Sequence, residues 1–325
     1  MTTTHLVHGI VVVGCLGCAS FDDPTVVVDM RPLAMTAQPP EQLVTLDPAN
    51  PPAPIELLAQ LRSTRVCALV VDPEMERRVR YEMRICTDAA GDRCGRPEVV
   101  VASGVIDDPD TTSPAPDLCA TIDPDGNLLG VLVKILEIDA FGGIGGIDYN
   151  VVLRFGGEGS DPALDQFASK HVRVAPKIPV AREANLNPRL RRIEAEIDDS
   201  NEEIPLDVGR CIDQITPLTV QRGQRVSLTP IEPDDTREPY VTPTLDGRGA
   251  MFVETHTYQW LATAGSFATS QTGGPRDAFG NVPPINTEWR APADIRVTTD
   301  VDIFIVQRDE RLGATWYTTC VRVMV

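Results

Sequence analysis

Histidine is almost missing from this chain: there are four in 325 residues, and two of them, His5 and His8, fall within the first eight positions. The remaining pair, His171 and His256, both sit inside strand-like patterns, which is thin material for nucleophilic or general-base chemistry. No Gly-x-Ser-x-Gly, no His-Glu-x-x-His and no Ser-x-x-Lys in a suitable context is present. Lysine is scarce too, at three residues, and the formal net charge is −18. That balance repels phosphate backbones and anionic lipid surfaces, so nucleic acid is excluded as a partner. Long apolar runs are also lacking, since after the first eighteen residues no window offers enough consecutive apolar positions to span a bilayer.

What is present begins at the N-terminus. Leu6-Val7-His8-Gly9-Ile10-Val11-Val12-Val13 ends in Gly14-Cys15-Leu16-Gly17-Cys18, and the composition turns polar at Ser20. A secretory signal has an apolar region of about 7–15 residues ending at a small residue, and that length is too short for a permanent membrane helix. The preceding Met1–His5 carries no Lys or Arg, unlike the usual positive start of such signals. Val12-Val13-Gly14-Cys15 resembles the lipobox of bacterial lipoproteins. The resemblance implies that residues 1–14 are removed, that Cys15 (alternatively Cys18) is lipidated, and that 15–24 is a tether. It also implies attachment to a membrane through the lipid, as an outer-membrane lipoprotein facing the periplasm or the cell surface.

Six cysteines remain: Cys67, Cys86, Cys94, Cys119, Cys211 and Cys320. An even number without Cys-x-x-Cys spacing reads as disulfides in an oxidising compartment, not as metal ligands. Cys86 and Cys94 bracket a short loop clipped at its base. That leaves Cys67 with Cys119 and Cys211 with Cys320, provided a domain boundary separates Cys119 from Cys211; pairing of Cys119 with Cys211 is the competing arrangement.

Pro is abundant, at 28 residues, and Val and Thr are frequent, a mixture that favours strands punctuated by turns. Val79-Arg-Tyr-Glu-Met-Arg-Ile-Cys86 alternates apolar and charged residues with the period of a half-buried antiparallel strand. Thr25–Asp29, Ile55–Leu61, Leu128–Ile138, Tyr149–Phe155 and Ala168–Val174 read as further strands of a first sandwich over 25–175. A Pro-marked linker, 176–188, leads to a second sandwich over 189–325. Its strands include Arg191–Ile197, Leu218–Val220, Arg225–Leu228, Thr257–Leu261, Val301–Val306 and Thr315–Val325. Asp234–Gly249 and Gln271–Pro284 are expected to be long polar loops, and no segment offers a strong long helix. The halves look like a diverged duplication: Tyr81-Glu-Met parallels Tyr258-Gln-Trp260, and His171-Val-Arg-Val174 parallels Cys320-Val-Arg-Val323. The expected fold is all-β, two tandem immunoglobulin-like antiparallel sandwiches after the signal segment.

The second half resembles the PKD type of immunoglobulin-like domain found in bacterial envelope proteins. The likeness rests on Tyr258-Gln-Trp260, on Thr287-Glu-Trp289-Arg-Ala-Pro292 and on the run from Asp302 through Asp309 to Gly313. It implies that Trp260 is a core residue packed between sheets, with Trp289 preceding the last hairpin. The first half follows the plan more loosely and lacks both tryptophans.

Other chemistry reads weakly. Gly142-Gly-Ile-Gly-Gly146 has no Lys-Ser/Thr after it and reads as a turn, not a phosphate loop. Asp123-Pro-Asp-Gly-Asn127 fails as a calcium loop, because Thr121 and Leu132 stand where acids are required. Glu232-Pro-Asp-Asp235 is no better, and Asp198-Asp199 and Glu202-Glu203 read as solvated acids. No metal or cofactor is expected. The expected role is non-catalytic: a structural, adhesive or binding protein contacting an envelope protein or polysaccharide through the two long loops. The alternatives are an accessory subunit of an envelope transport assembly and a glycan-active enzyme.

Overall fold

The computed structural model describes residues 23–46, 52–73, 78–90, 93–106, 117–198, 200, 202–244 and 248–325. The first half contains β1 (Arg31–Gln38), β2 (Glu41–Val44), β3 (Thr64–Val71), β4 (Val79–Cys86), the short pair β5 (Ala89–Ala90) and β6 (Arg93–Cys94), β7 (Glu98–Ile106), β8 (Asp117–Ile122), β9 (Ile147–Gly157) and β10 (Gln166–Pro176). Two helices interrupt it, α1 (Pro54–Leu58) and α2 (Gly126–Ile138). A sheet ordered β1-β3-β8 faces one ordered β2-β10-β9-β4-β7.

The second half contains β11 (Arg192–Ile197), β12 (Ile204–Leu206), β13 (Leu218–Gln221), β14 (Arg225–Ile231), β15 (Pro239–Pro243), β16 (Gly249–Val253), β17 (His256–Ala262), β18 (Ser266–Phe267), β19 (Gln271–Gly273), β20 (Thr287–Arg290), β21 (Thr299–Asp309) and β22 (Ala314–Met324). Its sheets are β12-β11-β14-β20-β18 and β13-β22-β21-β17-β19, with β15 and β16 forming a separate hairpin.

The larger sheet of the first half and the second sheet of the second half share one plan. In each, a short strand runs parallel to the last strand (β2 with β10, β13 with β22), while the other pairings in these sheets are antiparallel. That is the immunoglobulin-like arrangement of two sheets, and it occurs twice. The repeated Val-Arg-Val lies on the equivalent last strands, and its arginine makes the same bond in both. Arg173 is paired across the ladder with Asp148 and grips it at 2.7 Å and 2.8 Å. Arg322 does the same to Asp300, at 2.7 Å and 2.9 Å.

The alternation in β4 buries Val79, Met83 and Ile85 in a first core with Tyr149, Leu153 and Phe155. The second core centres on Trp260 and Trp289, both fully buried. Trp260 Nε1 donates to Thr272 Oγ1 at 2.9 Å and Trp289 Nε1 to the Ala264 carbonyl at 3.1 Å, so neither indole leaves a buried donor unmet. Gly265, at φ 86°, lies under Trp289, where a Cβ would come within 2.5 Å of the indole nitrogen and of the Arg290 carbonyl.

Three segments depart from the sequence expectation. Leu128–Ile138 is the body of α2, not a strand: Leu128, Val131, Leu132 and Ile135 recur at helical spacing and are buried. Asp125 caps the helix, accepting from the Asn127 and Leu128 amides at 2.9 Å and 3.0 Å, so the acidic loop before it is a helix start. Ile55–Leu61 is no strand either: Pro54–Leu58 forms the short α1, with Pro at its first position and Glu56 accepting from the Ala53 amide at 2.9 Å. Thr25–Asp29 is no strand of the first sandwich: Val26 bridges Ala262 of β17, with Val27 donating to the Ala262 carbonyl at 2.8 Å and Ala262 to the Thr25 carbonyl at 3.0 Å.

Candidate functional site at the junction of the two sandwiches

Strands buried on one face alternate; β3 and β21 do not. Ala68-Leu-Val-Val71 and Ile303-Phe-Ile-Val306 are buried at every position. Ala68 and Val70 point into the first core, and Ile303 and Ile305 into the second. Leu69 and Val71, with Leu33 and Ala34 of β1, pack in a third apolar cluster with Leu261, Phe304 and Val306. The outer face of the three-stranded sheet is thereby pressed on the second sandwich.

Beside this apolar contact lies a buried polar knot. The turn after β21 is built by Asp309, whose Oδ1 accepts from the Arg311 and Gly313 amides at 2.7 Å each. Only glycine fits at 313, because a Cβ there would fall 2.0 Å from the Asp309 carboxylate. Leu312 takes a positive φ of 82°. The turn presents Arg311, which donates to Glu41 Oε2 of β2 at 2.9 Å and to Glu254 Oε1 at 3.1 Å. Its guanidinium lies 4.8 Å from the Tyr240 ring centroid.

Glu41 receives two further bonds, from Arg182 at 2.8 Å and from the Asn185 amide at 2.8 Å. Asn185 also donates to Asp309 Oδ2 at 3.1 Å and to the Arg311 carbonyl at 2.9 Å. Glu41, Arg182, Asn185 and Glu254 are all buried. The segment read as a linker, 176–188, therefore supplies two residues of the packed junction. Lys170 of β10 donates to the Leu312 carbonyl, and burial draws its ammonium down to about 8. Burial, reinforced by Asp309, pushes the Glu254 carboxyl up to about 7.

A second polar group lies within the C-terminal sandwich. Glu232 meets His256 Nδ1 at 2.7 Å, the Tyr258 hydroxyl, and Arg237 Nε at 2.7 Å. Burial raises the Glu232 carboxyl, but these three partners outweigh it and hold it near 2. The Tyr258 hydroxyl also accepts from Gln307 at 3.1 Å. His256 has no exposed surface, and the bonds among it, Glu232, Tyr258 and Gln307 tie the end of β14 to β17 and β21 inside the second core.

A cavity of about 150 Å³ opens at the junction, lined by Glu41, Arg173, Arg182, Tyr240 and Arg311 among others. Every arginine there already grips a carboxylate. Among the described residues no His, Cys, Asp and Glu gather with metal-ligand geometry.

The structure joins Cys67 to Cys119, directly opposite on β3 and β8, Cys86 to Cys94, and Cys211 to Cys320. Such bonds belong to an oxidising, extracytoplasmic setting. No helix among the described residues is long and apolar enough to cross a membrane. Cys15 and Cys18, the lipidation candidates, lie outside the described residues. The loop Asp234–Gly249 carries strand β15 and the start of β16, and Gln271–Pro284 begins with β19. The second loop is organised by Asp277, which accepts from the Phe279 and Asn281 amides at 2.8 Å and 2.9 Å and leaves Phe279 91% exposed. Glu41, Arg182, Asn185, Glu254 and Arg311 were not singled out from the sequence. The available signal was indirect: two unalternating apolar runs imply strands covered on both faces.

No protein-family model matches the chain, and no curated protein matches it in sequence. Among solved structures, red sea bream transglutaminase aligns with 91% of this chain at 9% identity and a TM-score of 0.23. This chain spans 31% of the transglutaminase's length. The C-terminal domain of the Streptococcus agalactiae AgI/II polypeptide BspA aligns with 89% of this chain, and over 99% of its own length, at 9% identity and a TM-score of 0.17. Neither likeness is close enough to transfer an activity.

Proposed function

We propose that this is a non-catalytic, lipid-anchored cell-envelope protein in which two joined sandwiches, the second of PKD type, hold out loops for binding. The observation that carries this reading is the loop at Asp277, which fixes its own backbone and holds an apolar side chain, Phe279, out in solvent. The hairpin β15–β16 adds exposed Met251, Phe252 and Val253. Apolar side chains exposed on defined loops of a disulfide-braced scaffold support contact with a partner, in this case an envelope protein or polysaccharide. The three disulfides support an extracytoplasmic site of action.

The test is site-specific photocrosslinking in whole envelopes. A crosslinker at position 279 or 252 is expected to capture a discrete protein or polysaccharide species. Capture should be lost when the other position is changed to Ser. Equal labelling from the exposed position Arg78, on the first sandwich, would remove the case for a dedicated binding surface.

A further inference from the structure

The first sandwich contains a second cavity, of about 250 Å³, that the junction does not use. It lies between α1, α2 and the ends of β2, β9 and β10. Its walls include Leu57, Leu61, Leu129, Val133, Leu136 and Val174, and among the described residues no charged or hydrogen-bonding side chain lines it. Four large apolar residues beside these walls are exposed: Ile55, between the lining residues Pro54 and Leu57, then Ile138, Phe141 and Ile144 around Gly142-Gly143. A closed core does not leave such residues in water around an opening.

We propose that this pocket binds a single aliphatic chain carrying an uncharged head group. The occupant follows from the lining. A peptide backbone placed there would lose its hydrogen bonds with nothing in return, which costs too much for a specific segment to enter. An apolar cavity of about 150 Å³ already admits a benzene ring, so this one holds a longer hydrocarbon. With no polar side chain among the described lining residues, the head must remain at the mouth. The chain's net charge of −18 disfavours an anionic head. This site is separate from the loops of the proposed binding function, and either can fail without the other.

The probes are decanol and decanoate, titrated into the full chain by calorimetry and followed by thermal shift. Decanol is expected to bind and raise the melting temperature, and decanoate to bind more weakly. Val133→Phe fills the pocket from a half-exposed position and is expected to weaken decanol by roughly tenfold or more. Leu129→Phe, one turn earlier on the same helix, repeats the test should the first variant fold poorly, and near-ultraviolet circular dichroism checks each fold. Absence of decanol binding, unchanged affinity in both folded variants, or tighter binding of decanoate would overturn the proposal.

Discussion

Arg311 of the second sandwich donates to Glu41 of the first at 2.9 Å, across 270 residues of sequence, in a place where both side chains are almost sealed from water. Charges buried this way are costly unless each has partners, and Glu41 has three: Arg311, Arg182 and the Asn185 amide. The pairing is worth little as an attraction and much as a constraint, because any other docking of the two sandwiches strands a buried charge.

Removing one member should therefore cost far more than removing several. Arg311→Ala leaves Glu41 and Glu254 short of a partner and is expected to lower stability by ~3–5 kcal/mol. Arg311→Met combined with Glu254→Gln, with Glu41 left to Arg182 and the Asn185 amide, should recover a large part of that loss. Urea denaturation of the variants measures it; equal or greater loss in the double variant would contradict this account of the junction.

The two unusual glutamates set opposite pH trends. Glu254 sits near 7 in the fold and has an ordinary value of 4.5, so the folded state binds the extra proton in that window. Its contribution is complete below 4.5 and lost as pH rises through 7. Glu232, held near 2, contributes fully above 4.5 and loses its contribution as pH falls towards 2. Melting temperature followed against pH should thus fall less between 4.5 and 7 in Glu254→Gln than in the parent. Glu232→Gln should flatten the acid limb instead.

Trp260→Ala opens a void between the sheets of the second sandwich, beside Tyr258 and Phe267 at ring distances of 6.3 Å and 6.2 Å. A loss of ~3–5 kcal/mol is expected, measured by chemical denaturation. Because Leu261 on the same strand and Phe304 on the neighbouring one carry the junction, the first sandwich should lose its cover in the same transition. Retention of full stability would contradict a role for Trp260 in holding the second core together.

Cys211 and Cys320 close a span of 109 residues. In the chain-entropy view, opening that bridge with Cys211→Ser and Cys320→Ser costs roughly 4–5 kcal/mol. Non-reducing peptide mapping should recover a fragment linking these two positions. A fragment linking Cys119 to Cys211 would refute the pairing and the boundary between the sandwiches.

Much of the fold was legible because strands half-buried in a sandwich must alternate, as Val79, Met83 and Ile85 do, and because turn-forming Pro and Gly mark their ends. The Val-Arg-Val repeat located two equivalent last strands, although the cross-strand aspartates that give its arginines a purpose became visible only with the register. The helix α2 was missed because in a mostly apolar stretch the buried face is not the only apolar one; four buried positions at helical spacing were hidden among Leu129, Val133 and Ile138. The junction was unreadable for another reason. Glu41, Arg182, Glu254 and Arg311 come from four separate segments, and no local pattern announces that they meet.

The entry of the chain has a mechanical consequence. From Thr25 to Val27 the backbone is hydrogen-bonded to Ala262 of the second sandwich before it turns into β1 of the first. Tension applied at the N-terminal side is therefore handed first to β17, deep in the C-terminal sheet, and only afterwards to β1. A pull that might have unzipped the first sandwich from its edge must first shear these bonds and drag Val27 out of the apolar cluster that joins the halves. The part of the protein farthest along the sequence is thus the first to bear the load.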